Sequence, residues 1–370
     1  MQVERYGHGG DVWTAAEQFG VAREALLDVS ANINPLGPPE SVVAALQESL
    51  VAGIAAYPDP LGRELKAVLV EKVAVASEQI VLGNGAAEVL YGVMRALRPR
   101  RVGVMQPCFS EYAAAAEGVG AEVVAVFARE DADYLPARGD LLAVCAKVEL
   151  FIVGHPNNPN GRFLPLAWLE EMAKVLAARG GSLLVDEAFL DFVPRAPSLL
   201  TRVRAGELPS VVLLRSLTKF YAIPGLRLGY AVCAAELARR IERELPPWRV
   251  NALALVAGVV GLRDEQFAER TIAWLERERP FLRDGLARLP GVTVYGGEVN
   301  YVLFRSENVA LQADLGRRGI LIRSCAEYPG LGEGFYRVAV WFRQENERLL
   351  REMERVLTAE RGKAGCPTSW

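Results

Sequence analysis

The segment RSLTKFYAIPGLRLGY, residues 215–230, follows directly on the aliphatic run VVLL at 211–214. Four large aliphatic residues, followed by Arg215 and Ser216, read as a short strand covered on both faces. Pro224 and Gly225 then break regular structure. Ser216, Thr218 and Lys219 therefore lie just past the strand's carboxyl end, with Gly225, Arg227 and Gly229 shortly after. Hydroxyls and a guanidinium suit a phosphate, and a primary amine can form an imine with a carbonyl compound. A lone lysine in such a place reads as a solvated surface residue, so its meaning depends on what the other strand ends carry.

Working outward, the runs EQIVLG, RVGVMQ, AEVVAVF, ELFIVG and GSLLVDE precede SVVLLRS and are separated by helical stretches. In LPLAWLEEMAKVLAARGG, Leu169, Met172, Ala173 and Leu176 share one helical face, and Gly180 and Gly181 are C-cap residues. This alternation predicts an α/β domain built on a mostly parallel sheet. Ligands of such sheets bind beyond the carboxyl ends of the strands. After EQIVLG come Gly85, Ala86 and Ala87, small enough to bring backbone N–H groups to an anion at a helix N-terminus, or simply an ordinary turn. After RVGVMQ comes Phe109, a stacking ring or a core aromatic. After ELFIVG comes HPNNPNG, in which Asn157 offers an amide or completes a polar turn. After GSLLV comes Asp186, which can hold a ring nitrogen protonated or cap a helix.

The 370 residues carry a formal net charge of -3, which gives no basic field for nucleic acid or an anionic membrane, so a small-molecule partner is expected. No apolar run approaches the ~20 residues of a membrane span. Two histidines and five scattered cysteines without a C-x-x-C pair offer no metal site, and predict a reducing cytoplasm. The periodicity changes near residue 265, which predicts a large domain over 41–265, a smaller α+β domain over 266–370, and a polar leader over 1–40 that covers the site.

Taken together, the strand ends carry a phosphate loop, an aromatic ring, an amide, an acid and a hydroxyl-flanked lysine, in that order. This set resembles the fold-type I pyridoxal-5'-phosphate (PLP) enzymes of the aspartate aminotransferase superfamily, most specifically in S-x-T-K-x-x-x-x-P-G-L-R-x-G. The resemblance implies PLP as cofactor, with Lys219 as its Schiff-base lysine and Asp186 paired with its ring nitrogen. It implies that Phe109 stacks on the ring and that Asn157 bonds the 3'-oxygen. Gly85, Ala86, Ala87, Ser216, Thr218 and Arg227 would hold the phosphate. Tyr57, in YPDP, matches a tyrosine that reaches the neighbouring subunit's cofactor, which implies a homodimer. Phe189 departs from the pattern: many relatives have D-E-A-Y where this chain has D-E-A-F, so one hydroxyl to the 3'-oxygen is missing.

Within the superfamily the sequence is similar to two groups that take phosphorylated substrates, the histidinol-phosphate aminotransferases and the threonine-phosphate decarboxylases. Arg323 and Arg337 match the substrate-binding arginines of both. GHGGD (7–11) and SANINPLG (30–37) resemble the decarboxylases, which makes His8, Gly9 and Asn32 expected substrate contacts, and Asn157 is expected to contact the substrate as well as the cofactor. The expectation is decarboxylation of L-threonine O-3-phosphate to (R)-1-amino-2-propanol O-2-phosphate, a cobalamin precursor. Transamination of histidinol phosphate is the alternative. A catalytically silent PLP-binding regulator is the reading from another class. Such regulators usually carry a DNA-binding domain, for which the leader leaves no room.

Overall fold

The computed structural model describes residues 9–364, with side chains to residue 359. Its strands are β1 (Leu27–Asp28), β2 (Ile80–Asn84), β3 (Arg101–Gln106), β4 (Glu122–Phe127), β5 (Leu150–Gly154), β6 (Ser182–Asp186), β7 (Val211–Ser216), β8 (Leu228–Val232), β9 (Val292–Val294), β10 (Tyr301–Ser306), β11 (Ile320–Leu321), β12 (Arg323–Ser324) and β13 (Phe335–Ala339). They fall into two compact units. One comprises Leu36–Asn158 and Arg162–Ile272; the other takes the described residues up to Pro35, Pro159–Gly161 and the chain from Ala273 onward.

The first unit holds a seven-stranded sheet in the order β2-β8-β7-β6-β5-β3-β4. Only β8 runs against its neighbours β2 and β7, while the remaining pairs are parallel. Six strands therefore end on one edge, and β8 begins there. Leu150–Val153, Leu183–Val185 and Val211–Leu214 are buried throughout, because these aliphatic runs are covered on both faces. Val89, Leu90, Val93 and Met94 of the helix Ala86–Leu97 pack in one cluster with Val104, Ile152, Leu184 and Val212. Each such side chain contributes roughly 1.5–3 kcal/mol, which fixes the strand ends that carry the chemistry.

The second unit has an antiparallel sheet in the order β12-β13-β10-β9 and a parallel pair of β1 with β11. The division differs from the expected one in two places. The leader is no separate segment: Leu27 and Asp28 pair with Ile320 and Leu321, and Val29 donates to Leu321 and accepts from Ala339. The later boundary lies past 265, because Phe267 stacks on Tyr221 and meets Phe220 edge-on.

Candidate active site

At the sheet edge of the first unit, Gly85 has φ +85° and precedes the 12-residue helix Ala86–Leu97. A Cβ there would approach Arg227 Nη2 to 2.7 Å, so only glycine lets the guanidinium lie against the helix N-terminus. Gly229 works the same way from β8, where a Cβ would stand 2.8 Å from the Ala86 Cα. Ser216 Oγ and Thr218 Oγ1 are 2.8 Å apart, and Lys219 Nζ donates to Ser216 Oγ at 3.1 Å. The register sets Gly229 opposite Ser216 and Leu228 opposite Asn84. Helix N–H groups, two hydroxyls and a guanidinium thus converge, an arrangement that suits a phosphate dianion.

Lys219 itself is largely buried. Burial pulls its ammonium down to about 8, the Arg227 charge assists, and the Asp186 carboxylate opposes. Asp186 ends β6 and accepts two hydrogen bonds, from Tyr112 Oη to Oδ2 at 2.7 Å and from the Ala188 N–H to Oδ1 at 2.9 Å. Burial pushes its carboxyl above the usual range, while Tyr112, the Lys219 charge and the Ala188 N–H act against that. The half-buried Phe109 meets Tyr112 edge-on, ring centroids 5.7 Å apart. Asn157 donates through Nδ2 to the Pro107 carbonyl at 3.0 Å, which holds its amide in place. Phe189 is buried, with Lys219 Nζ 5.6 Å from its ring centre. Tyr57 is 83% exposed and stacks only loosely on Trp248, centroids 5.0 Å apart.

Three features escaped the sequence reading. Tyr112 was not singled out, although it lies three residues past Phe109. Glu187 and Arg215 form a buried pair at 2.7 Å, completed by Ser198 and Asp191. The adjacent D-E and R-S dipeptides were the available signal. In the second unit, Asn300 donates through Nδ2 to the carbonyl of Asn32 at 3.2 Å.

That second unit holds Arg323 and Arg337 directly opposite each other on β12 and β13, both about 95% buried. Their charges both act on Tyr328. Arg337 Nη2 donates to the Ser30 carbonyl at 3.1 Å, and Ser30 Oγ donates to Asp28 at 2.6 Å and accepts from the Gly10 N–H at 2.8 Å. Gly9 touches the same turn: a Cβ on it would collide with the Ser30 carbonyl. Asn32 is buried close by in sequence. His8 lies outside the described residues.

A family model described as aminotransferase class I and II matches residues 24–353. The chain belongs to that family. Among curated relatives of this class I/II chain, the threonine-phosphate decarboxylase of Salmonella typhimurium is 40% identical over 97% of this chain and 98% of that protein. Histidinol-phosphate aminotransferase 1 of Thiobacillus denitrificans is 34% identical over 98% and 93%. Among solved structures, the histidinol-phosphate aminotransferase of Clostridium acetobutylicum superposes with a TM-score of 0.84 at 29% identity, over 90% of this chain and 100% of that one. In this chain the antiparallel β8 between β2 and β7 brings Arg227 back to the edge where β2 and β7 end.

Proposed function

We infer that the protein is a PLP-dependent decarboxylase that converts L-threonine O-3-phosphate to CO2 and (R)-1-amino-2-propanol O-2-phosphate, in cobalamin biosynthesis. The observation that carries this reading is the 40% identity, over nearly the whole of both chains, to a protein named threonine-phosphate decarboxylase, against 34% for the aminotransferase.

The residues fit PLP. Gly85 leaves space that a Cβ would fill, next to Arg227 and the helix N-terminus, and a carboxylate at the end of β6 and an amine just past the end of the neighbouring β7 lie on the same sheet edge. Ser216, Thr218, Arg227 and the N–H groups of residues 85–87 hold the phosphate, Lys219 supplies the covalent link, Asp186 keeps the ring nitrogen protonated, and Phe109 and Asn157 hold the ring. Bound there, the cofactor supplies an electron sink for the pair released at the substrate's α-carbon.

Arg323 and Arg337 hold the substrate's anionic groups, and Gly9 and Asn32, with His8, complete its phosphate site. By fixing both anions these residues turn the α-carboxylate, rather than the α-hydrogen, into the bond that breaks. CO2 would leave as the Cα–carboxylate bond breaks and its electron pair passes to the bound cofactor, and Lys219 Nζ, displaced from its covalent link by the substrate's own amine, would return a proton to the α-carbon. Ser216 Oγ, 3.1 Å from Nζ, keeps the amine at its station.

The test is direct. Purified protein with PLP and L-threonine phosphate should release one CO2 per substrate and form no glutamate with histidinol phosphate and 2-oxoglutarate. Glutamate without CO2 would overturn the reading in favour of the aminotransferase, which the 34% relative supports.

A homodimer completes this reading. Val51, Ile54 and Tyr57 are 79%, 72% and 83% exposed along the helix Glu40–Ala55 and the loop after it, a surface that a second copy would cover. Tyr57 then bonds the cofactor phosphate of the partner copy. Light scattering should give twice the 40.4 kDa chain mass, and Ile54→Asp should give monomers with at least ~10-fold lower activity. A wild-type monomer with full activity would sink the assembly.

A further inference from the structure

We propose that Tyr112 is a positioning residue for Asp186, its phenol fixing Oδ2 so that the carboxylate stays ionised and aimed at the cofactor's ring nitrogen. The inference rests on the PLP reading above and assigns a role to a residue to which that reading gave none. Tyr112 is 2% exposed and begins the helix Glu111–Glu117, directly after the loop that carries Phe109. Its oxygen lies 2.7 Å from Oδ2. Gly154, at the end of β5, borders the same oxygen: a Cβ on it would stand in ordinary contact with the phenol at 3.4 Å and press on Asn157 Oδ1 at 3.0 Å. Two strand ends thereby set one phenol, β3 through the loop before its helix and β6 through the acid itself.

Physical chemistry explains why a phenol belongs here. A carboxylate sealed from water takes up a proton unless donors and cations hold it charged. The Ala188 N–H occupies Oδ1 and the charge of Lys219 acts from the turn after β7. Tyr112 is the side-chain donor on the remaining oxygen. A protonated Asp186 could no longer hold a proton on the ring nitrogen, and the electron sink would weaken. Phenylalanine at 112 keeps the packing against Phe109 and removes only the donor.

The experiment compares binding of two probes to the full chain: PLP, and its 1-deaza analogue, in which a C–H replaces the ring nitrogen. Tyr112→Phe should weaken PLP roughly tenfold and leave the analogue within about twofold of wild type, because the phenol acts only through that nitrogen. Equal weakening of both probes would mark Tyr112 as merely structural, and no change in either would also overturn the inference. A second variant guards against misfolding. Tyr112→3,5-difluorotyrosine keeps the shape and strengthens the donor, so PLP should bind tighter with the analogue unchanged; unaltered PLP affinity there would refute the role independently. If wild type fails to bind PLP at all, the cofactor reading falls and this inference with it. If wild type binds PLP and the variants match it, only this inference falls.

Discussion

Lys219→Ala lowers kcat by more than ~10³-fold and abolishes the visible absorption of the lysine-bound cofactor. The magnitude follows because one amine serves twice, as covalent anchor and as proton carrier, and no other lysine lies on that sheet edge to replace it. Retained absorption with full activity would refute the assignment. The same residue makes a second, opposite prediction for stability. Burial draws its ammonium from 10.5 to about 8 in the folded protein, so between those values the unfolded chain binds the proton more tightly. Below pH 8 the folded state carries a cost of about 3 kcal/mol, which fades as pH rises toward 10.5. Lys219→Met keeps the volume and discards the charge. Without cofactor it should therefore unfold at a higher denaturant concentration than wild type at pH 7, with the gap narrowing above pH 8. An equal or lower midpoint at pH 7 would show that the buried ammonium costs nothing.

The parts of this site that were legible in sequence are those a strand end announces. An aliphatic run such as LFIV or SLLV fixes where a parallel strand stops, and the next few residues then have to face the ligand edge. Asp186, Phe109 and Lys219 were readable for that reason. Tyr112 was not, because it stands in a helix and its partner lies 74 residues further on, a pairing that only the tertiary fold makes. The place of the leader was hidden similarly. β1 has two residues and pairs with Ile320 and Leu321 almost three hundred positions away, too short a strand for any periodicity to show. Arg323 and Arg337 were recognisable from their motifs, but their direct opposition on β12 and β13 is a matter of register, which the spacing of ILIRSC and FYRVAVW does not reveal.

That opposition sets the last expectation. Like charges directly across a strand pair repel, and burial removes the water that would screen them. Asp28 offsets part of this, since the Arg337 charge acts on it, but burial pushes that carboxyl upward and toward its neutral form. On the proposed reading, a bound dianion would relieve this repulsion. Arg337→Ala should accordingly raise KM for L-threonine phosphate by roughly 100-fold, the loss of a charge-assisted pair. The unliganded protein, by contrast, should shift in melting temperature by less than about 3 °C, because relief of the repulsion works against the loss of contacts such as the bond to the Ser30 carbonyl and the approach to the Tyr301 ring. Inorganic phosphate, which should raise the wild-type melting temperature through this site, should lose that effect in the variant. A wild-type KM would remove Arg337 from the substrate site. A large melting-temperature loss with unchanged phosphate stabilisation would make it a structural cation instead. The combination of weak binding and near-normal stability would be the signature of a cation pair that the fold tolerates for the sake of a bound anion.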